Sequence, residues 1–251
     1  MFISGFKILN MKTVAVIDYG MGNLRSVSQA IEHVALPGLY RKLSMTRLRP
    51  LCKAIEQAIP KRVRVQLTSD PKIIQRADRV VFPGQGAIGG CMSALESNGL
   101  RDSLLEAMKT KPFLGVCLGL QALYDFSEEG GGTPCLSLLA GSVKRFPAEK
   151  MSDNVTGLPL KVPHMGWNQV HQTSPHPLWK GIPQDTRFYF VHSYYADSAD
   201  AHEIAGETAY ALRFTSAAAR ANIFAVQFHP EKSQHAGLRL LENFISWDGS
   251  R

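Results

Sequence analysis

The segment 13–18, TVAVID, constrains the fold most, because its apolar residues are consecutive rather than alternating with polar ones. A strand with one face in water alternates polar and apolar residues, whereas a strand buried on both faces does not. Parallel sheets covered by helices on both sides contain strands of this second kind. The segment therefore predicts an inner strand of an α/β sheet.

Helix and strand patterns alternate after this first strand. A helix is predicted from Asn23, a favourable N-cap residue, with one apolar stripe facing the sheet. The stripe consists of Leu24, Val27, Ile31 and Val34. Further strands are predicted at 63–67, 79–82 and 113–116, and a helix at 100–109. This order predicts an α/β fold with an open, doubly wound, mostly parallel sheet and helices on both faces.

The second half of the chain has a different pattern. Segments rich in Val, Phe and Tyr are separated mostly by turns and predict added antiparallel or mixed strands. They lie at 160–162, 187–195, 209–214 and 222–228. A final amphipathic helix carries Leu238, Leu241, Phe244 and Ile245. No linker divides the chain, so we expect one domain over 13–251, with residues 1–12 as an N-terminal extension and Met11 as an alternative start.

Charge and composition exclude some classes of function. The formal net charge is +7, and the basic residues concentrate at 41–64. No nucleic-acid motif accompanies them, so we expect a solvated basic face and no nucleic-acid partner. No apolar run approaches the roughly 18–20 residues of a membrane span. The four cysteines form no metal-binding or disulfide pattern, which favours reduced thiols in a cytoplasmic protein.

Cys117 has the sequence context of a nucleophile. Residues 115–119, Gly-Val-Cys-Leu-Gly, join a predicted strand to a helical pattern, as in the elbow that exposes a nucleophile at a sharp turn. The glycines remove Cβ atoms that would clash there, and the helix N-terminus favours a thiolate. A buried structural cysteine remains the alternative. Cys52, on a possible helix, and Cys91 and Cys135, in loop-like segments, lack this context.

His229 is the leading candidate for the base among eight histidines. It opens the sequence His-Pro-Glu after an apolar strand, and residues i and i+2 of an extended segment point to the same side. Glu231 could therefore orient the ring of His229, as the third member of a triad does. A surface turn with a fortuitous pair is the alternative. His164 and His192 remain candidates because both occur in aromatic-rich segments.

Three motifs together resemble the class I, triad-type glutamine amidotransferases. They are PGQGA at 83–87, GVCLGLQ at 115–121 and VQFHPEKS at 226–233. The resemblance implies that Cys117 attacks the side-chain amide of glutamine, that His229 transfers protons, and that Glu231 orients His229. It also implies an oxyanion hole at Leu118, Gly84 and Gly86, glutamine binding by Gln121, Glu129, Ser193 and Tyr194, and no metal or other cofactor.

Two further segments resemble one branch of this family, the glutaminases that serve histidine biosynthesis. They are KVPHMGWNQV at 161–170 and FYFVHSYY at 188–195. The resemblance implies a heterodimer with a (β/α)8-barrel synthase subunit that uses the ammonia. It places His164, Met165, Trp167 and Lys232 at the interface. The segment 36–60 is longer than the usual family pattern and is predicted to be an insertion.

Two other functions stay open from the sequence. The first is a glutaminase that feeds another synthase, or a stand-alone γ-glutamyl hydrolase of the same fold. The second is a non-enzymatic binding protein built on this fold, since a fold alone does not fix function. The complete Cys, His and Glu set counts against the second.

Overall fold

The computed structural model describes residues 11–37, 62–147, 151–152 and 157–250. Four predicted features lie outside these residues: the insertion at 36–60 apart from its first two residues, most of the basic stretch at 41–64, Cys52, and residues 1–10 of the extension. Cys91, Cys117 and Cys135 are free thiols. Within the described ranges, no helix is long and apolar enough to cross a membrane.

The first half of the chain alternates strands and helices. In order these are β1 (Lys12–Ile17), α1 (Leu24–Ala35), β2 (Val63–Thr68), α2 (Pro71–Arg76), β3 (Arg79–Gly84), α3 (Ile88–Ser97), α4 (Arg101–Thr110), β4 (Phe113–Cys117) and α5 (Leu118–Gln121). The side chain of Asn23 accepts a hydrogen bond from the backbone of Ser26, which confirms the predicted cap of α1.

The second half consists mainly of strands. They are β5 (Phe126–Ser127), β6 (Thr133–Pro134), β7 (Gly141–Arg145), β8 (His164–Gln169), β9 (His171–Gln172), β10 (Arg187–His192), β11 (Tyr194–Ser198), β12 (Ile204–Tyr210), β13 (Leu212–Arg220) and β14 (Ile223–Val226). Helix α6 (Gln234–Ser246) follows them.

One mixed sheet joins both halves and confirms the predicted α/β class. Strands β2, β1, β3, β4 and β14 lie side by side and are parallel. Strands β13, β11 and β7 continue the sheet with antiparallel pairing. Because β4 and β14 are parallel neighbours, their carboxyl ends meet at the same edge, where open α/β sheets place their ligands.

Strand β1 is buried on both faces, as its unbroken apolar sequence predicts. Val14 and Val16 pack in the core layer that contains α1 and α6, whereas Ala15 and Ile17 pack in the layer that contains α3 and α4. All four side chains are inaccessible to solvent. The helices therefore cover both faces of the parallel half of the sheet.

Several local predictions were wrong. Cys91 lies in α3 rather than in a loop. Residues 160–162 form no strand, and the strand of this region is β8, which begins at His164. The predicted strand at 209–214 spans the turn between β12 and β13, where Ala211 has a φ of 60°. The predicted strand at 187–195 divides into β10 and β11 on either side of Ser193.

Strands β8 and β10 form a separate antiparallel ribbon. Successive side chains of a strand point to opposite faces. Met165 and Trp167 are 64% and 42% exposed, whereas His164 is 3% exposed. The prediction that His164 lies on a partner surface with Met165 and Trp167 is therefore corrected, because His164 belongs to the inner face of the ribbon.

His164 packs on its inner face against His192 in an aromatic cluster. The ring of His164 stacks on Tyr210 and Phe190, with ring centroids 4.0 and 4.8 Å apart. His164 Nδ1 and His192 Nε2 are 2.8 Å apart, and His192 Nδ1 donates to the carbonyl oxygen of Tyr194 at 2.7 Å. Burial lowers the pKa of His164 to about 4 and, together with the neighbouring His164, that of His192 to about 3. Both rings are therefore neutral near pH 7.

This pair should make the protein lose stability in acid. The pKa of His164 falls from 6.5 when unfolded to about 4 when folded. The unfolded chain thus binds more protons between these values, and stability falls as the pH falls from about 6.5 to about 4. One such group contributes on the order of 3 kcal/mol to this loss. His164→Phe, which keeps an aromatic ring in the stack, should show a shallower decline in urea unfolding measured between pH 7 and pH 4. Parallel profiles for the variant and the wild type would contradict the assignment.

Candidate active site

Cys117 occupies a strained turn at the end of β4. Its backbone has a φ of 55° and a ψ of −107°, in a region that L-residues rarely adopt. A Cβ at Gly115 would lie 2.7 Å from the carbonyl oxygen of Gly119, and a Cβ at Gly119 would overlap the carbonyl oxygen of Phe82. Only glycine fits at both positions, so the sequence Gly-Val-Cys-Leu-Gly is what allows this tight turn from strand to helix.

His229 and Glu231 form a buried pair beyond the end of β14. His229 Nδ1 lies 2.8 Å from Glu231 Oε1, and both side chains are 2% exposed. Residues Pro230–Lys232 form a single turn of 3₁₀-helix. The expectation that an extended segment aligns the two side chains is therefore wrong, because the tight turn brings the carboxylate to the ring.

The charge of the His229 ring depends on burial and on two neighbouring groups, the Cys117 sulfur and the Glu231 carboxylate. Burial alone would lower its pKa and has the largest single effect. The nearby Cys117 sulfur and the hydrogen-bonded Glu231 carboxylate together outweigh burial and raise the pKa of His229 to about 10. A histidine held between a thiol and a carboxylate in this way favours the imidazolium form, which stabilises a thiolate next to it.

Two buried glutamines also lie near the sulfur. Gln227 Nε2 lies 3.6 Å from Cys117 Sγ, and Gln121 Nε2 donates to Gln227 Oε1 at 3.0 Å. The sequence analysis missed Gln227. Its signal was a polar residue two positions before His229, inside an otherwise apolar strand.

Backbone and hydroxyl groups fix the turn that carries His229. The backbone N–H of His229 donates to the carbonyl oxygen of Tyr189 in β10 at 2.9 Å. Ser233 Oγ accepts from the backbone N–H of Tyr189 at 3.0 Å and donates to the carbonyl oxygen of His229 at 2.6 Å. Neither Tyr189 nor Ser233 was singled out from the sequence, because both act through main-chain contacts.

A cavity of about 440 Å³ opens in front of Cys117 and His229. All four residues predicted to bind glutamine line it, namely Gln121, Glu129, Ser193 and Tyr194. Gly86, Leu118, His192 and Lys232 also line it. Gly84 pairs with Cys117 across β3 and β4. The cavity, the pairing of Gly84 with Cys117 and the contact between His229 and Glu231 thus bring together the residues predicted for catalysis, the oxyanion hole and glutamine binding.

Glu129 connects this cavity to the segment after β3. Its Oε2 accepts a hydrogen bond from the backbone N–H of Ile88, the first residue of α3, at 2.8 Å. A carboxylate at this position satisfies a free helix N–H and complements the helix dipole. The contact fixes one end of the loop that contains Gly86.

Comparisons with known proteins agree with this geometry. The profile of the family described as glutamine amidotransferase class-I matches residues 54–247. The imidazole glycerol phosphate synthase subunit HisH of Aromatoleum aromaticum is 55% identical over 237 residues, which cover 94% of this chain and 99% of that protein. Subunit HisH of Thiobacillus denitrificans is 52% identical over 235 residues, covering 94% and 91%.

A solved structure supports the fold independently. The glutaminase domain of Trypanosoma brucei CTPS, determined with bound acivicin, superposes with a TM-score of 0.56 at 16% sequence identity. The match covers 94% of this chain and 95% of that chain. From the family profile and the extent of identity to the HisH subunits, this chain belongs to the class I glutamine amidotransferases and, among them, to the imidazole glycerol phosphate synthase subunits HisH.

Proposed function

We propose that this chain hydrolyses glutamine to glutamate and ammonia at Cys117, and that it passes the ammonia to a (β/α)8-barrel synthase subunit. That partner would use the ammonia to form imidazole glycerol phosphate and aminoimidazole carboxamide ribotide in histidine biosynthesis. The observation that carries the proposal is the buried His229–Glu231 pair beside Cys117 at the mouth of the cavity. The identity to HisH subunits supports the choice of partner.

The first half of the reaction forms a thioester. The Cys117 sulfur attacks the side-chain carbonyl carbon of glutamine, and the carbonyl oxygen becomes an oxyanion. The His229 imidazolium donates its proton to the amide nitrogen as the C–N bond breaks and ammonia leaves. Glu231 holds the ring in position and stabilises its positive charge, as the acid of a triad does.

The second half consumes water. Neutral His229 accepts a proton from a water molecule, whose oxygen attacks the thioester carbonyl. The C–S bond breaks, the sulfur leaves as a thiolate, and glutamate is released. The proton now on His229 restores the starting ion pair, so one base serves both halves of the reaction.

The oxyanion needs donors at the elbow. The N–H of Leu118 follows the nucleophile at the start of α5 and is the first donor we assign. The second comes from the segment Gly84–Gly86, where Gly84 lies beside Cys117 in the sheet. The bond from Ile88 to Glu129 anchors this segment at its far end.

Glutamine binding is assigned to the polar lining of the cavity. Both amide hydrogens of Gln121 have acceptors, Tyr194 O and Gln227 Oε1. The carbonyl oxygen of Gln121 is therefore the atom we expect to contact the substrate ammonium. Glu129 keeps acceptor capacity after its bond to Ile88, because a carboxylate has about four lone-pair sites. Ser193 and Tyr194 complete the lining.

The outer face of the β8–β10 ribbon is the surface that we assign to the synthase subunit. Trp167 packs edge-on against Tyr189 at 6.2 Å, and the ammonium of Lys232 lies 5.8 Å from the Tyr189 ring. Exposed Trp and Met side chains are typical of interface anchors. Because the backbone of Tyr189 holds His229, a partner bound on this face would contact a support of the triad.

Cys117→Ala should abolish glutamine hydrolysis, because no thioester can form without the thiol. The assay follows glutamate release in the presence of the synthase subunit and its nucleotide substrate. A glutamine-like alkylating analogue should label Cys117 alone, because Cys117 lines the cavity, whereas burial raises the pKa of the Cys91 thiol to about 12 and that of the Cys135 thiol to about 11. Cys91→Ala is the matched control and should keep activity. Labelling of another cysteine in mass spectrometry would refute the assignment.

His229→Asn should reduce kcat nearly as much as the loss of Cys117. The fold-reduction of kcat in Glu231→Gln should be smaller than that in His229→Asn by a factor of about 10². The proton-transfer group is indispensable, whereas the orienting acid contributes a smaller share in triads. Steady-state rates of glutamate release test this order. A larger defect in Glu231→Gln than in His229→Asn would mean that the two roles are assigned wrongly.

Trp167→Ala and Lys232→Ala should fold normally and weaken stimulation of glutamine hydrolysis by the synthase subunit. A titration of glutamate release against added partner measures the effect. Leu67→Ala and Lys109→Ala remove an exposed apolar and an exposed basic side chain elsewhere, and they should leave the titration unchanged.

Lys232 also lines the cavity, so the KM of Lys232→Ala for glutamine must also be measured in the absence of the partner. Weaker stimulation with an unchanged KM supports docking. Wild-type stimulation by both variants would refute the proposed surface.

A further inference from the structure

One backbone carbonyl determines how both buried glutamines are oriented. The carbonyl oxygen of Tyr194 can only accept hydrogen bonds, so the group of Gln121 that lies 3.0 Å from it must be the NH₂. The same NH₂ lies 3.0 Å from the side chain of Gln227, which must present its oxygen. The remaining group of Gln227, its NH₂, therefore faces Cys117 Sγ at 3.6 Å.

From this geometry we propose that Gln227 is a positioning residue, whose amide N–H donates to the Cys117 sulfur and holds it as a thiolate facing the cavity. The proposal rests on the proposed function, in which Cys117 is the nucleophile. Gln227 acts through the sulfur, and we assign it no contact with the substrate.

Burial gives this contact its strength. The side chain of Gln227 is completely inaccessible, and Gln121 is 4% exposed. A hydrogen bond to an ionised acceptor is stronger than one between neutral groups, and water does not compete for it in a buried site. Gln227 thus contacts the sulfur as a neutral donor. His229 lies near enough to interact with the sulfur through its charge.

A buried histidine pair anchors the orienting carbonyl. Tyr194 O also accepts from His192 Nδ1 at 2.7 Å, so His192 Nε2 is an acceptor and His164 Nδ1 must donate to it at 2.8 Å. His164 Nε2 then accepts from Asn168 Nδ2 at 3.3 Å. Each donor in this network, from Asn168 through the two histidines and Gln121, has a defined acceptor. The Gln227 amide therefore has one favoured orientation.

The test measures alkylation of Cys117 by iodoacetamide in the chain alone, with the modified residue identified by mass spectrometry. Gln227→Met keeps the length of the side chain and removes the donor. Its alkylation rate at pH 6.5 should fall roughly tenfold, the effect of losing a hydrogen bond to a charged group. Gln172→Met is the matched control, because Gln172 donates to the carbonyl oxygens of Ile182 and Pro183. Its rate should equal that of the wild type.

Gln227→Glu distinguishes hydrogen-bond donation to the Cys117 sulfur from a role in packing alone. An ionised carboxylate at this position repels the thiolate, whereas a protonated one can accept from Gln121 and donate to the sulfur. Its alkylation rate relative to wild type should therefore rise as the pH is lowered from 8 to 5. A purely structural role predicts a ratio that does not depend on pH. This variant is isosteric, so it carries the test if Gln227→Met fails to fold.

The outcomes distinguish the two proposals. Wild-type rates in Gln227→Met, a ratio for Gln227→Glu that does not depend on pH, or an equal loss in Gln172→Met would overturn the role of Gln227 and leave Cys117 as the nucleophile. Absence of Cys117 modification in the wild type would instead overturn the proposed function.

Discussion

The strained backbone at Cys117 is the constraint on which the rest of the site depends. A φ of 55° at a residue with a side chain has a cost, and it persists only where its surroundings leave no alternative. Gly115 and Gly119 supply the space, and the parallel neighbours β3 and β14 hold β4 in place. The turn keeps the sulfur at the carboxyl edge of the sheet, where the chain leaving β14 brings His229 beside it.

The two halves of the sheet contribute different parts of the site. The parallel half supplies Cys117 and the glycine segment after β3, both at strand ends. The antiparallel half supplies Tyr194 and, through the ribbon, the backbone support of His229. Since β14 is parallel to β4 and antiparallel to β13, it is the strand at which the two halves meet.

The sequence predicted the parts of the site that depend on near neighbours in the chain. The elbow and the His229–Glu231 pair are each contained within five residues. Helix α3 was missed because Gly89 and Gly90 weaken its first turn and its cap comes from Glu129, which lies 41 positions from Ile88. The orientation of Gln227 was equally hidden, because it depends on a backbone carbonyl that only the fold brings close. His164 was misplaced because its neighbours Met165 and Trp167 share its sequence motif but not its face of the strand.

The ribbon of β8 and β10 has a consequence for how such proteins diversify. Among the described strands, β8 and β10 pair only with each other. They support His229 through the main-chain atoms of Tyr189 and the hydroxyl of Ser233. Main-chain contacts do not depend on which side chain a residue carries. The outward side chains of the ribbon can therefore change over evolution while the contacts that hold His229 stay the same, so the support of His229 does not depend on the composition of the outer surface.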